Sequence, residues 1–445
     1  MFWGWLKGIL SSILVFVGIL FIVYGFYLLG EDNGIGGAIS LVIGLIMSVV
    51  GSYLKYVSKQ TVKPTKKYFI IFFICVIFTF YLFETYLLIK EKNVITFKTK
   101  IYNENTGKKY DLRSKFEIYQ DLKKEERNIS LSYSAWNLGL IGDKNFHPLS
   151  GLSNTKSIHC NENGYYSIYL SDRFGFNNPD SEWDRDQIEY LLVGDSFVHG
   201  ACVNRPNDIS SVLRTLSGKG VLNLGISGNG PLNEYATLRE YIKPNIKKII
   251  WVYYEGYDLL DLMAERNNNI FRKYIEDINF SQNLIYKQKT KNQTIKKIID
   301  QEANRISKQL EKDNNLKYKI LKFIRLDKTK KSIFFKPSSE TIDNSVFTDF
   351  EEVIKLAKEL SLKNNSKFYF VYLPEYYRYT TKYSNQNYKK VLSILEKLNI
   401  SVINIHEDIF AKEQNPLKFF PFQMDGHFNI LGNKKVSEVI YQNTQ

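Results

Sequence analysis

The sequence predicts an α/β protein in which a parallel sheet, covered by helices on both faces, follows three membrane helices. Two observations carry this. After residue 186, short continuously apolar runs alternate with helix-length segments, the pattern of strands buried on both faces. Before residue 92, three runs at about 8–30, 34–54 and 68–89 are long and apolar enough to cross a bilayer as helices.

The first two runs, GILSSILVFVGILFIVYGFYLLG and GIGGAISLVIGLIMSVVGSYL, carry no charge, and the third carries only Glu84. A cleaved signal peptide would have a shorter apolar core and a small-x-small site, so the runs read as a membrane anchor over residues 1–92. The first connecting loop holds Glu31 and Asp32, whereas the second holds Lys55, Lys59, Lys63, Lys66 and Lys67. Positive loops stay in the cytoplasm, so the N-terminus is expected inside and everything beyond residue 90 outside. Glu84 then lies near the outer end of the third helix and reads as a carboxylate reaching for headgroups.

Residues 93–185 are polar, with turn signals such as Asn161-Glu162-Asn163-Gly164, and read as a cover of strands and loops without a helical domain. Strands are expected at 189–193, 221–225, 247–256, 367–374 and 401–407, and helices at 207–217, 231–243, 384–398 and 431–442. A Lys-, Asn- and Gln-rich insertion of about 262–348 interrupts this domain of residues 186–445. Its segment 290–325 has helical spacing and reads as a solvated excursion.

The formal charge of +14 invites a nucleic-acid reading, but Lys and Arg are spread thinly and no zinc-finger spacing exists, so no nucleic-acid partner is expected. Cysteine spacing suggests no metal site. A Cys160–Cys202 disulfide would suit an extracytoplasmic domain, although spacing alone does not establish it.

Ligands on parallel sheets bind beyond the carboxyl ends of the strands, and those ends carry the chemistry here. The first ends in Gly194-Asp195-Ser196, the second in Asn223-Leu224-Gly225-Ile226-Ser227-Gly228-Asn229, the third in Glu255-Gly256-Tyr257-Asp258. Asp425-Gly426-His427 precedes the last helix. A serine hydroxyl needs a base to take its proton, and His427 has a suitable pKa. The histidine needs a carboxylate, for which Asp425 is the nearest candidate. Glycine-rich strand ends supply backbone N–H groups for an oxyanion. His199 and Asp195 read as structural, Asp195 holding the nucleophile turn.

These blocks resemble the SGNH/GDSL hydrolase superfamily over roughly residues 186–445. Gly194-Asp195-Ser196-Phe197 is similar to its nucleophile block, Gly228 to its oxyanion glycine, and Asp425 with His427 to its final block. The resemblance implies a flavodoxin-like three-layer fold and an oxyanion hole from the N–H groups of Ser196 and Gly228. Tyr257 stands where the family has an asparagine donor, with Asn229 as a substitute, and the final block is Asp-x-His where Asp-x-x-His is common. The implied function is a cofactor-independent serine esterase removing O-acetyl groups from a surface polysaccharide. Two alternatives use the same fold. One is an O-acetyltransferase fed by a membrane partner that supplies the acyl donor; the other is an inactive glycan-binding or assembly subunit.

Overall fold

The computed structural model describes residues 15–22, 25, 41, 44–46, 48–53, 55–56, 66–135, 146–334 and 342–445, the side chains of 66–76 and 334 excepted. The chain divides into two compact units: Met1–Phe97 with Gln309–Lys336, and Lys98–Lys308 with Pro337–Gln445.

In the first unit, the expected helices at 8–30 and 34–54 lie largely outside the described residues. The third run opens a helix, Lys66–Thr106, that continues well past residue 89. Among the described residues no helix is long and apolar enough to cross a membrane, so the three-helix expectation finds no support there. Glu84 does not reach for headgroups. It is buried, and its two oxygens accept the N–H groups of Lys328 (3.0 Å) and Thr329 (2.7 Å) at the start of helix Asp327–Phe334. An anion there meets unpaired amides and the positive helix end. Part of the expected insertion is thereby packed on this helix, with Tyr81 donating to the Ile324 carbonyl (3.0 Å).

The second unit starts helically, against the expectation for residues 93–185. The end of Lys66–Thr106 is followed by Lys115–Glu125, which carries a Ser114/Glu117 capping box. Then comes a small sheet of β1 (Ile129–Leu131), β2 (Lys156–Ile158) and β3 (Ile168–Leu170), with β1 parallel and β3 antiparallel to β2. Asp172 ties the cover down: its carboxylate accepts from Phe174 N and Phe176 N (both 2.9 Å), Asn178 Nδ2 (2.9 Å) and Trp183 Nε1 (2.7 Å).

The main sheet comprises β4 (Ile188–Val193), β5 (Val221–Asn223), β6 (Ile246–Tyr254), β7 (Lys367–Leu373) and β8 (Ser401–Asn404), all parallel, in the order β5-β4-β6-β7-β8. This is the flavodoxin-like order, in which the strand direction of growth reverses beside β4. The expected fifth strand stops at Asn404 because Asn404 caps a short helix, Ile405–Asp408. Nearly every residue of β4 is buried, which explains its unbroken apolar run. Helices Ile209–Ser217, Pro231–Tyr241, Asn344–Lys363, Gln386–Lys397 and Ile430–Asn443 complete the layers. The insertion helix Gln288–Asn314 is not a free excursion, since it buries Lys291, Ile295, Ile298, Ile299 and Ala303. Lys291 Nζ donates to Ser150 Oγ (3.0 Å) and the Phe174 carbonyl (2.5 Å) of the cover.

Candidate active site

Strand β4 delivers Gly194-Asp195-Ser196 to its carboxyl end, and a one-turn helix, Ser196–His199, starts at the serine. Asp195 caps that turn by accepting the Phe197 N–H at 2.8 Å, the structural role expected of it. Its burial holds the carboxyl above the usual range. Ser196 Oγ lies 2.7 Å from His427 Nε2 and 3.3 Å from Asp195 Oδ2. Two of the expected residues, 231 positions apart, are therefore in hydrogen-bond contact.

The carboxylate partner of His427 differs from the expected one. Glu162, in the turn after β2, accepts from His427 Nδ1 through Oε1 (2.9 Å) and from the His427 backbone N–H through Oε2 (2.7 Å). Asp425 is exposed and accepts instead from the Tyr377 hydroxyl at 2.9 Å. Gly426, between the two, lies close against the Glu162 carboxylate, where a Cβ would come within 2.6 Å of Oε2. Burial works against a charged His427, but the Glu162 carboxylate outweighs it, and the histidine pKa stands above its ordinary value. Burial likewise works against the Glu162 anion, and the same pairing outweighs it, holding Glu162 below the ordinary carboxylate range.

The rings of Phe197 and His427 are 5.0 Å apart, with Phe428 (4.8 Å) and Tyr254 (4.3 Å) on the other sides of Phe197. This buried aromatic wall fixes the imidazole plane.

The loop after β5 is held by a second histidine pair. Ser227 N–H donates to His199 Nδ1 (3.1 Å), and Ser227 Oγ lies 2.8 Å from His159 Nε2. The Ser227 carbonyl accepts from Ala135 N (2.9 Å) and Ser134 Oγ (3.0 Å). Burial pushes His199 down to about 3 and His159 also well down, so both rings are neutral and Nδ1 of His199 is free to accept. Gly228 follows at φ +79°, a left-handed conformation that suits glycine. The expected substitute donor Asn229 is buried, and neither polar atom of its side chain has a partner among the described residues. Tyr257 is 50% exposed, its ring 6.0 Å from that of Tyr254.

Beneath this loop lie buried carboxyls. Glu265 accepts from Gly230 N (2.7 Å), Leu232 N (3.1 Å) and Asn233 N (3.2 Å), and Asp261 sits beside it. Burial, then the charges of Glu265 and Asp195, pushes Asp261 up to about 9. A carboxyl whose folded pKa is raised contributes stability below its unfolded pKa and loses it as pH rises through the folded one. The melting temperature of Asp261→Asn relative to wild type should therefore climb between pH 5 and pH 9. A difference that stays flat across that range would show that Asp261 ionises normally.

Glu162, Cys202 and His427 are the one group of metal-capable side chains within mutual reach among the described residues. The Cys202 sulfur is bonded to Cys160, so the group lacks the thiolate a metal would need and does not fit a cation.

No family model matches the sequence, and no curated protein is similar to it. Several solved structures are similar to it, among them the following two. One is described as a lipolytic protein of the G-D-S-L family from Desulfitobacterium hafniense DCB-2, 13% identical, covering 57% of this chain and 99% of that one at a TM-score of 0.33. The other is the acetyl xylan esterase AlAXEase, 11% identical with the same coverages and a TM-score of 0.32. Likeness at this level carries no weight for function.

Proposed function

We propose that the protein is a membrane-anchored serine esterase that removes O-acyl groups, acetyl foremost, from a carbohydrate outside the cytoplasm. The observation that carries the chemistry is the hydrogen-bonded chain Ser196 Oγ–His427–Glu162 at the carboxyl end of β4. Ser196 Oγ attacks the ester carbonyl while His427 Nε2 takes its proton. Glu162 stabilises the imidazolium and keeps the Nδ1 proton in place. The N–H groups of Ser196 and Gly228 receive the oxyanion. His427 then returns the proton to the leaving sugar hydroxyl. Water, deprotonated by the same imidazole, attacks the acyl-serine and releases the acid with Ser196 regenerated.

The anchor and compartment rest on the uncharged runs and the lysine-rich second loop. The anchor is also supported by the close approach of two small residues, since a Cβ on Gly18 would lie 2.6 Å from the Gly44 carbonyl, the contact typical of membrane helix pairs. The Cys160–Cys202 disulfide suits an oxidising, extracytoplasmic setting.

The test is hydrolysis of 4-nitrophenyl acetate by the full chain in detergent. Ser196→Ala should lower kcat by at least about 10³-fold. Equal rates for variant and wild type would remove the serine-esterase reading.

A further inference from the structure

Freed from His427 by Glu162, Asp425 has no part in the proton chain, yet it is held in place. Its Oδ2 accepts from the Tyr377 hydroxyl, and the carboxylate stays exposed two residues from the base. Tyr377 is itself fixed by its neighbour. Arg378 pairs with the buried Glu255 at the end of β6, donating to it through Nε at 2.8 Å and through Nη2. Glu255 also receives the Tyr372 hydroxyl at 2.6 Å and the Glu375 N–H at 3.2 Å. Two residues beyond Glu255 comes Tyr257, with half its surface open to solvent beside Tyr254. Ring contacts lead from Tyr257 through Tyr254 (6.0 Å) and Phe197 (4.3 Å) to His427 (5.0 Å), and the hydrogen-bonded Tyr377–Asp425 pair ends two residues from the same histidine, so all three side chains lie around the base. Burial and then the Asp425 charge raise both phenols.

We propose that Tyr257, Tyr377 and Asp425 form a sugar-binding rim that recognises a neutral acylated glycan beside Ser196. The chemistry follows from the groups. A carboxylate with a free oxygen accepts from two neighbouring sugar hydroxyls, and charge-assisted bonds of that kind are the strong ones. An exposed tyrosine face packs on the apolar C–H face of a pyranose at little entropic cost, while its hydroxyl serves the polar edge. The negative charge of Asp425 opposes uronate or phosphate groups, which selects uncharged residues. The proposal also gives Tyr257 a role that an asparagine at that position would not have.

The rim rests on the esterase reading for its substrate, and two measurements on the full chain in detergent keep the two apart. The first is the ratio of kcat/KM for an O-acetylated xylo-oligosaccharide to that for 4-nitrophenyl acetate. Asp425→Asn and Tyr257→Ala should each lower this ratio at least tenfold, through a raised KM for the sugar ester. A loss of kcat shared equally by both substrates would overturn the rim and return Asp425 to His427. An unchanged ratio would overturn it as well. The second measurement is calorimetric binding of unacetylated xylotriose, cellotriose and chitotriose to Ser196→Ala, which needs no turnover. Binding weakened at least tenfold by adding Asp425→Asn supports the rim even if no ester is cleaved, in which case only the esterase reading falls. No binding to any of the three, or tighter binding of an oligogalacturonate, overturns the rim whatever the hydrolysis result.

Discussion

Glu162→Gln should lower kcat for ester hydrolysis by about 10³- to 10⁴-fold, the penalty typical of an amide replacing the acid of a serine triad. Glu162 accepts from both His427 Nδ1 and the His427 N–H, so the imidazole is held by two bonds to one carboxylate. A glutamine turned to offer its NH2 group to Nδ1 would force the proton onto Nε2, and Nε2 is the atom that must accept from Ser196. The same substitution removes the charge that raises the His427 pKa. The base is active only when neutral, so the acid limb of the pH–kcat/KM profile should move to lower pH as the rate falls. Steady-state kinetics between pH 5 and pH 9 on folded protein would measure both effects. A variant with wild-type kcat and an unmoved limb would mean that Glu162 is not the partner of the base.

That prediction concerns a residue which the linear sequence hid for a physical reason. Ser196, His427 and Gly228 stand at strand ends or before a helix, where an apolar period breaks abruptly at small or polar residues, and such breaks are visible in one dimension. Glu162 sits in Asn161-Glu162-Asn163-Gly164, where an acid among turn formers looks like a solvated loop. Only the packing of the cover brings that turn to the imidazole. Proximity along the chain favours Asp425, but the backbone from Asp425 to His427 points the two side chains to different partners. The one sequence clue was the cysteine pair, because Cys160 is two residues before Glu162 and Cys202 follows the nucleophile turn.

The insertion boundary failed differently. Helix Asn344–Lys363 buries Val346, Phe347, Phe350, Val353, Ile354 and Ala357, so its apolar spacing was readable, yet the expected insertion ran on to residue 348. Glu84 illustrates the opposite limit. A lone acid in an apolar run says nothing of which distant helix terminus it will cap.

Removing the Cys160–Cys202 bridge should destabilise the fold and slow the enzyme together. The bridge joins residues separated by 42 positions, and a loop of that size restricts the unfolded chain by about 4 kcal/mol on the chain-entropy account. Against a typical net stability of about 5–15 kcal/mol, that is enough to lower the melting temperature by several degrees or more. The catalytic consequence follows from position. Cys160 and Glu162 share one turn, and Asn163 Nδ2 donates to the Cys202 carbonyl at 2.9 Å, so the bridge and this bond together hold the turn to the segment behind Ser196. With the covalent link gone, the hydrogen bond and the Glu162–His427 pair must hold the turn alone, and part of the population will have the imidazole unpartnered. Cys160→Ala/Cys202→Ala, or wild type treated with dithiothreitol, should therefore lose kcat while Glu162→Gln, already lacking the carboxylate, loses little more on reduction. That non-additivity separates a bridge which positions Glu162 from one which merely stiffens the domain. Equal fractional losses in wild type and Glu162→Gln would assign the bridge to stability alone.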